Sequence, residues 1–242
     1  MKFLVVAALV LAVSAIDFDD DLSVNLGDLP MQNPDLFQGD ILDIESVDDR
    51  NAIPHNNLRW TGRKVPYVID SSVGGYTNLI YSSMQNYNPT CVQFVPRTYE
   101  SNYIRIFSGQ GCYSNVGMIG GQQPVSLGQG CMYKGTIVHE LGHAIGFFHE
   151  QNRSDRDQYL TIYWQNIQQG MDTQFFLLKP HENLLLTPFD YNSIMLYGNT
   201  AFSKDGRSNT MVAKTGVRLY ETYDKPGLSS SDITRVNKMY GC

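Results

Sequence analysis

Residues 136–157 read TIVHELGHAIGFFHEQNRSDRD, and inside this run lies His-Glu-Leu-Gly-His, from His139 to His143. Two histidines four apart on a helix project from one face, one turn from each other, so two imidazole nitrogens can reach one metal ion. Glu140 is rotated off that face but stays beside the metal, where its carboxylate can hold the metal's water rather than the metal. Gly146 comes three residues after His143. Glycine readily takes the left-handed conformation that ends a helix and reverses the chain, which lets His149 return as a third ligand. Three nitrogens with an open fourth position describe a catalytic zinc site, not a closed structural one. Three of the five histidines in 242 residues fall in this one segment, which chance does not explain. His55 and His181 have no partner at ligand spacing and are read as isolated side chains.

H-E-x-x-H-x-x-G-x-x-H is the metzincin signature, and the residue after the third histidine, here Glu150, separates its branches. Through Arg153, Asp155, Arg156 and Asp157 the run resembles the astacin family's H-E-x-x-H-x-x-G-F-x-H-E-x-x-R-x-D-R-D. The resemblance extends from about Phe37 to Cys242. It implies an α+β, metzincin-type catalytic domain. A twisted mixed sheet with helices would form the N-terminal half, a loop-rich region the C-terminal half, and the active-site cleft would run between them. It also implies one Zn²⁺ per chain, held by His139, His143 and His149, with Glu140 as general base. Ser193-Ile194-Met195-Leu196-Tyr197 is similar to the family's Met-turn, S-I-M-x-Y. By that likeness Met195 is an apolar floor beneath the histidines. Tyr197 is a further zinc ligand that swings away and donates to the oxyanion.

The N-terminal residues differ in kind. Met1–Ala15 has a single positive charge, Lys2, then an apolar run and the small-residue site Val13-Ser14-Ala15, the pattern of a secretory signal. That run is too short to span a bilayer, and no later stretch approaches 18 apolar residues. A soluble, secreted, extracellular protein is therefore expected. Residues 16–50 carry 11 acidic residues against one basic residue, Arg50, whereas residues 51–242 carry 16 basic and 13 acidic. An acidic stretch ahead of a mildly basic body suggests a pro-segment docked partly by charge. Phe37-Gln38-Gly39-Asp40-Ile41 is similar to the F-x-G-D motif of astacin pro-segments. The likeness implies that Asp40 ligates the zinc in the zymogen only, displacing the catalytic water. Arg50-Asn51 would be cut by a trypsin-like activating protease. The resemblance implies that the new N-terminal amine, at Asn51 or Ala52, meets Glu150.

Residues 51–242 suit one peptidase domain. Four cysteines in a secreted chain should pair, with three connectivities open; the family pattern selects Cys91 with Cys242 and Cys112 with Cys131. Val65–Ile69, Val92–Val95 and Tyr103–Phe107 read as strands. Gly75–Tyr87 reads as a helix with Tyr76, Leu79, Ile80, Met84 and Tyr87 inward. Val116–Leu127, rich in Gly and Gln and containing Pro124, reads as an irregular edge strand that the resemblance places along the cleft, pairing with substrate backbone. Lys134–Gly146 is the metal-bearing helix, and Ser229–Tyr240 a final helix capped by a serine, with Ile233, Val236 and Tyr240 inward. The stretch Thr210–Lys214 resembles the family segment near the pocket past the scissile bond. Ala213 would make that pocket favour small or neutral residues. Asn152-Arg153-Ser154 is a formal glycosylation sequon beside the proposed site, where a glycan is not expected.

Together these readings describe a secreted zinc endopeptidase made as a zymogen, acting on polypeptides and expected to work as a monomer. No basic cluster or nucleotide motif points to nucleic acid, and nothing points to a membrane. The alternative is a catalytically silent secreted zinc-binding protein of the same fold.

Overall fold

The computed structural model describes residues 30–42 and 56–242. The leader at Met1–Ala15, the cleavage site at Arg50-Asn51, Ala52 and His55 lie outside the described residues. Among them the N-terminal half is a five-stranded sheet in the order β2-β1-β3-β5-β4. Its strands are β1 (Lys64–Ile69), β2 (Gln93–Pro96), β3 (Tyr103–Phe107), β4 (Cys112–Ser114) and β5 (Gln122–Leu127). Strands β2, β1, β3 and β5 run parallel, and β4 is antiparallel to β5. Alternation in β3 puts the branched side chains Ile104 and Ile106 into the core, where neither is exposed, while its other residues face out.

Two helices pack with this sheet. Helix α1 (Thr77–Met84) follows a 3₁₀ turn over Ser71–Tyr76, whose start is capped by Asp70 accepting from the Ser72 N–H at 2.9 Å. That turn delays the helix, so Tyr76 lies outside it and is 49% exposed rather than inward; Val73 fills the core instead. Helix α2 (Lys134–Ile145) is buried at every residue from Gly135 to Ile145. Its backbone is held by distant side chains. Tyr87 Oη–H donates to the Val138 carbonyl at 2.7 Å, Trp60 Nε1–H to Ala144 at 2.7 Å and Tyr240 Oη–H to Ile145 at 2.9 Å. Burying the polar residues of a helix sunk this deep costs free energy unless each finds a partner.

The edge of the sheet differs from the sequence expectation. Residues 122–127 form an interior strand, and the edge is the short β4. Pro124 fits inside because β4 reaches only Val125–Leu127, so the missing N–H of Pro124 faces no ladder partner on that side. The outer rim of β4 is covered by residues 30–42. The Cys112 N–H donates to the Pro30 carbonyl at 2.6 Å, Ser114 N–H to Asp40 at 3.0 Å and Leu42 N–H to Ser114 at 2.9 Å. Ile41 thereby bridges Ser114 in parallel.

Beyond α2 the chain is mostly loop and 3₁₀ turn, with a two-stranded antiparallel sheet of β6 (Leu160–Ile162) and β7 (Met211–Ala213) and the final helix α3 (Ser230–Tyr240). Ser229 and Asp232 form a reciprocal capping box at the start of α3. Val236, Met239 and Tyr240 face the core, and Ile233 is half-buried. Disulfides join Cys91 to Cys242, at the end of α3, and Cys112 in β4 to Cys131, just before α2. No helix among the described residues is long and apolar enough to cross a membrane.

Candidate metal centre

Helix α2 ends at Gly146, whose φ of 120° is in the left-handed region and turns the chain back over the helix. The turn delivers His149 to the face that carries His139 and His143. The Nε2 atoms of His139 and His149 lie 3.0 Å apart, as do those of His143 and His139. Asp40 joins them. Its Oδ2 is 3.1 Å from His139 Nε2, and its Oδ1 is 3.3 Å from His143 Nε2 and 3.2 Å from His149 Nε2. These four buried residues form the metal-ligating cluster found among the described residues.

Each imidazole is oriented from behind. The Nδ1–H of His139 donates to the Ile194 carbonyl at 2.8 Å, that of His143 to Phe147 at 2.7 Å, and that of His149 to Gln38 Oε1 at 3.0 Å. With the proton on Nδ1, each Nε2 turns its lone pair inward. Burial lowers the His139 imidazole and holds His149 down at about 3, against the opposing pull of Asp40 on both rings. Asp40 behaves in the opposite way. Burial alone would raise its carboxyl, but the electrostatic pull of His149 and His143 and the close contact with His139 bring it well below the usual carboxylate range.

The donor set fits zinc. Tetrahedral bonds of about 2.0–2.1 Å place ligand nitrogens roughly 3.3 Å apart, close to the spacing seen here. Asp40 Oδ1 and both carboxylate oxygens of Glu140 are buried without a hydrogen-bond partner in the protein, a state that a cation beside them relieves. Glu140 itself is fully buried, and burial together with the charge of Asp40 raises its carboxyl well above the ordinary value.

Below the histidines, Met195 is 2% exposed, and its Sδ would lie only 2.6 Å from any Cβ placed on Gly142. Helix and turn therefore touch through a position that admits no side chain. Asp232 clamps the turn by accepting from Ser193 Oγ at 2.7 Å and from the Ile194 N–H at 2.8 Å. Lys225 donates to the carbonyls of Ser193 and Leu196. Tyr197 Oη lies 2.5 Å from Asp40 Oδ2 and 2.8 Å from the Met31 carbonyl, so two acceptors compete for its single proton.

The rest of the motif is scaffold. Arg156, 2% exposed, donates to the carbonyls of Gln151 at 2.8 Å and Phe175 at 2.9 Å. Glu150, 1% exposed, is held by Arg235 at 2.7 and 3.1 Å, by Arg153 at 2.9 Å and by the Asp190 N–H at 3.0 Å. Asn152 is fully buried and donates to the carbonyls of Gln174 and Phe176, which leaves its sequon no room for a glycan. Ala213 is buried in β7 opposite Leu160 and does not line the cavity beside Tyr197. Gln38, Met31, Lys225, Asp232 and Arg235 have no signal in sequence, apart from Gln38 sitting inside the F-x-G-D run.

Comparison with known proteins gives a consistent picture. The family model for Astacin, peptidase family M12A, matches residues 52–241. Zinc metalloproteinase nas-13 of Caenorhabditis elegans is 39% identical over 240 residues, covering 90% of this chain and 52% of the relative. Astacin-like metalloprotease toxin 1 of Loxosceles intermedia is 42% identical over 214 residues, covering 86% of this chain and 81% of the toxin. The solved structure of high choriolytic enzyme 1, a hatching enzyme zinc-protease from Oryzias latipes, is 42% identical with a TM-score of 0.69, covering 76% of this chain and 93% of that one. The chain spans about half the length of the nas-13 relative.

Proposed function

This chain belongs to the astacin family of zinc peptidases, and from that premise we propose that it is a secreted zinc endopeptidase made as a zymogen. The observation that carries the proposal is the seat of Asp40. Its carboxylate occupies the point where three imidazole Nε2 atoms converge, while the partnerless carboxylate of Glu140 stands beside it. A pro-segment that places a carboxylate there blocks the site and marks where the reaction would occur.

His139, His143 and His149 would hold the zinc. When bound, zinc supplies Lewis acidity, polarising a water and the scissile carbonyl. Glu140 takes the proton from the attacking water and passes it to the leaving amine. Departure of Asp40 removes one of the two causes that raise the Glu140 carboxyl, which favours the ionised base. It also frees Tyr197, whose hydroxyl then donates to the developing oxyanion. The rim of β4, covered by residues 30–42, offers the same N–H and C=O groups to an extended polypeptide.

Activation would follow cleavage by a trypsin-like protease near Arg50. The new amine at Asn51 would approach Glu150. Of that carboxylate, Oε1 already accepts from Arg153, Arg235 and Asp190, while Oε2 accepts from Arg235 alone and keeps room for one more donor. The signal-like leader and the two disulfides support export to an oxidising compartment.

The test follows hydrolysis of a quenched-peptide mixture by the precursor before and after trypsin, with and without a zinc chelator. Chelator-sensitive activity that appears only after trypsin supports zinc, pro-segment and peptidase together. Glu140→Ala should retain bound zinc and lose turnover. Processed, zinc-loaded wild-type protein without peptidase activity would instead favour the silent zinc-binding protein.

A further inference from the structure

Beside Tyr197 lies a cavity of about 250 Å³. Tyr133 and Thr136, at and just inside the start of α2, form one wall. Thr222 and Tyr223, from the loop ahead of α3, form another, and Met31 closes the side toward Tyr197. Among the described residues that line the cavity, Glu221 alone carries a charge.

The setting of Glu221 is unusual for a structural carboxylate. Its hydrogen-bond partners among the described residues are the Gly198 N–H at 3.2 Å and the Thr200 hydroxyl at 3.4 Å, both long, and the charge of Lys225 acts on it without a direct ion pair. The ammonium of Lys225, four residues on, spends its hydrogen bonds on the carbonyls of Ser193 and Leu196. The carboxylate is pressed against Gly198, where any Cβ would come within 2.1 Å of Oε1, so it is anchored to the residue directly after Tyr197. Burial pushes its carboxyl above the ordinary value. A charged group in this position gains from a cation delivered into the cavity.

Met31 indicates how a peptide would deliver one. Its carbonyl accepts from the Tyr197 hydroxyl at 2.8 Å, and its unbranched side chain reaches the Thr222 hydroxyl, which is 2.9 Å from Sδ. Thr222 adjoins Glu221. Lysine is longer than methionine by one atom and arginine longer still. Either can lay its apolar stem along the tyrosine-lined walls and bring its charged head to the carboxylate.

We propose that Glu221 is a specificity-determining residue and that, once residues 30–42 leave, this cavity takes a lysine or arginine side chain of the polypeptide substrate beside the scissile bond. The inference rests on the peptidase reading above. It replaces the small or neutral preference inferred from Ala213, a side chain buried elsewhere.

The experiment uses trypsin-activated protein, with the trypsin then removed and inhibited. The substrate is a peptide library cut at acidic residues, so that Lys and Arg remain internal. Cleavage sites are read by mass spectrometry for wild type, Glu221→Gln and Glu221→Lys, with zinc content and melting temperature as checks on folding. The wild type should enrich Lys and Arg about tenfold at one position flanking the cut. Glu221→Gln should lose that enrichment, so that the ratio of kcat/KM for a peptide with Lys at that position to kcat/KM for its Met counterpart falls about tenfold. On a second library, cut at Lys and Arg so that Asp and Glu remain internal, Glu221→Lys should shift the preference toward Asp and Glu. Wild type without basic enrichment, or a basic profile retained by Glu221→Gln, overturns the assignment of Glu221 alone. Zinc-loaded, processed wild type that cuts no peptide overturns the peptidase reading and this inference with it.

Discussion

Glu150→Ala, made in the zinc-loaded precursor, removes a 1% exposed carboxylate from between two guanidiniums. The two arginines fare differently. Arg153 keeps Asp155, which it holds through two bonds of 2.9 Å. Arg235, 6% exposed, is left with the Thr187 hydroxyl at 3.4 Å and Asp232 at 3.9 Å. Stripping a buried charge of its partner costs about 3–5 kcal/mol. That is a large share of the roughly 5–15 kcal/mol by which such a domain is stable. At about 2–4 °C per kcal/mol for a chain of this size, the melting temperature should fall by about 6–20 °C.

The intact network is not itself a large stabiliser. Burial raises the Glu150 carboxyl, and Arg235 and Arg153 only partly bring it back. The penalty arises from breaking the pair. Arg235→Met in the Glu150→Ala background should therefore recover a large part of the loss, since methionine can lie over Phe147, which the guanidinium already faces at 5.9 Å. Calorimetry or urea unfolding of all four members of the cycle measures both effects. A Glu150→Ala loss within the roughly 0.5 kcal/mol of a surface change, or a double variant less stable than Glu150→Ala, refutes the reasoning.

Three further outcomes are expected. Asp40→Ala should give the uncleaved precursor chelator-sensitive activity, because His139, His143 and Tyr197 lose the carboxylate that engages them; a silent Asp40→Ala precursor would count against the switch. Ser229→Ala should cost about 1 kcal/mol in urea unfolding, since its hydroxyl caps the Asp232 N–H at 2.9 Å and also donates to Asp190 at 2.6 Å. Replacing both Cys91 and Cys242 by Ser reopens a loop closed across a separation of 151 residues. The chain-entropy model gives about 5 kcal/mol for it, and a loss under about 1 kcal/mol would refute that model here.

Much of the centre was legible because it is local. The spacing of His139 and His143, the reversal at Gly146 and the return of His149 follow from helical periodicity and one left-handed residue. Strand β3 showed itself through the alternation of Ile104 and Ile106, and α3 through its serine cap. The edge strand was misplaced because β4 is three residues long, too short to show a period. Tyr76 was misplaced because a 3₁₀ turn shifts the phase of the helix that follows it.

What only the tertiary structure decided are the partners that meet across long stretches of chain. Asp232 reaches back 38 residues to hold Ile194, and Arg235 reaches 85 to Glu150. Gln38 orients His149 across 111 residues, and Tyr197 meets the Met31 carbonyl across 166. Glu221 reads in sequence as one more acidic residue in a loop, and becomes a candidate specificity group only when folding seats it against Gly198. Periodicity and turn chemistry encode where a side chain points relative to its own helix or strand. Which distant group it then meets depends on how the elements pack, and no local pattern carries that information.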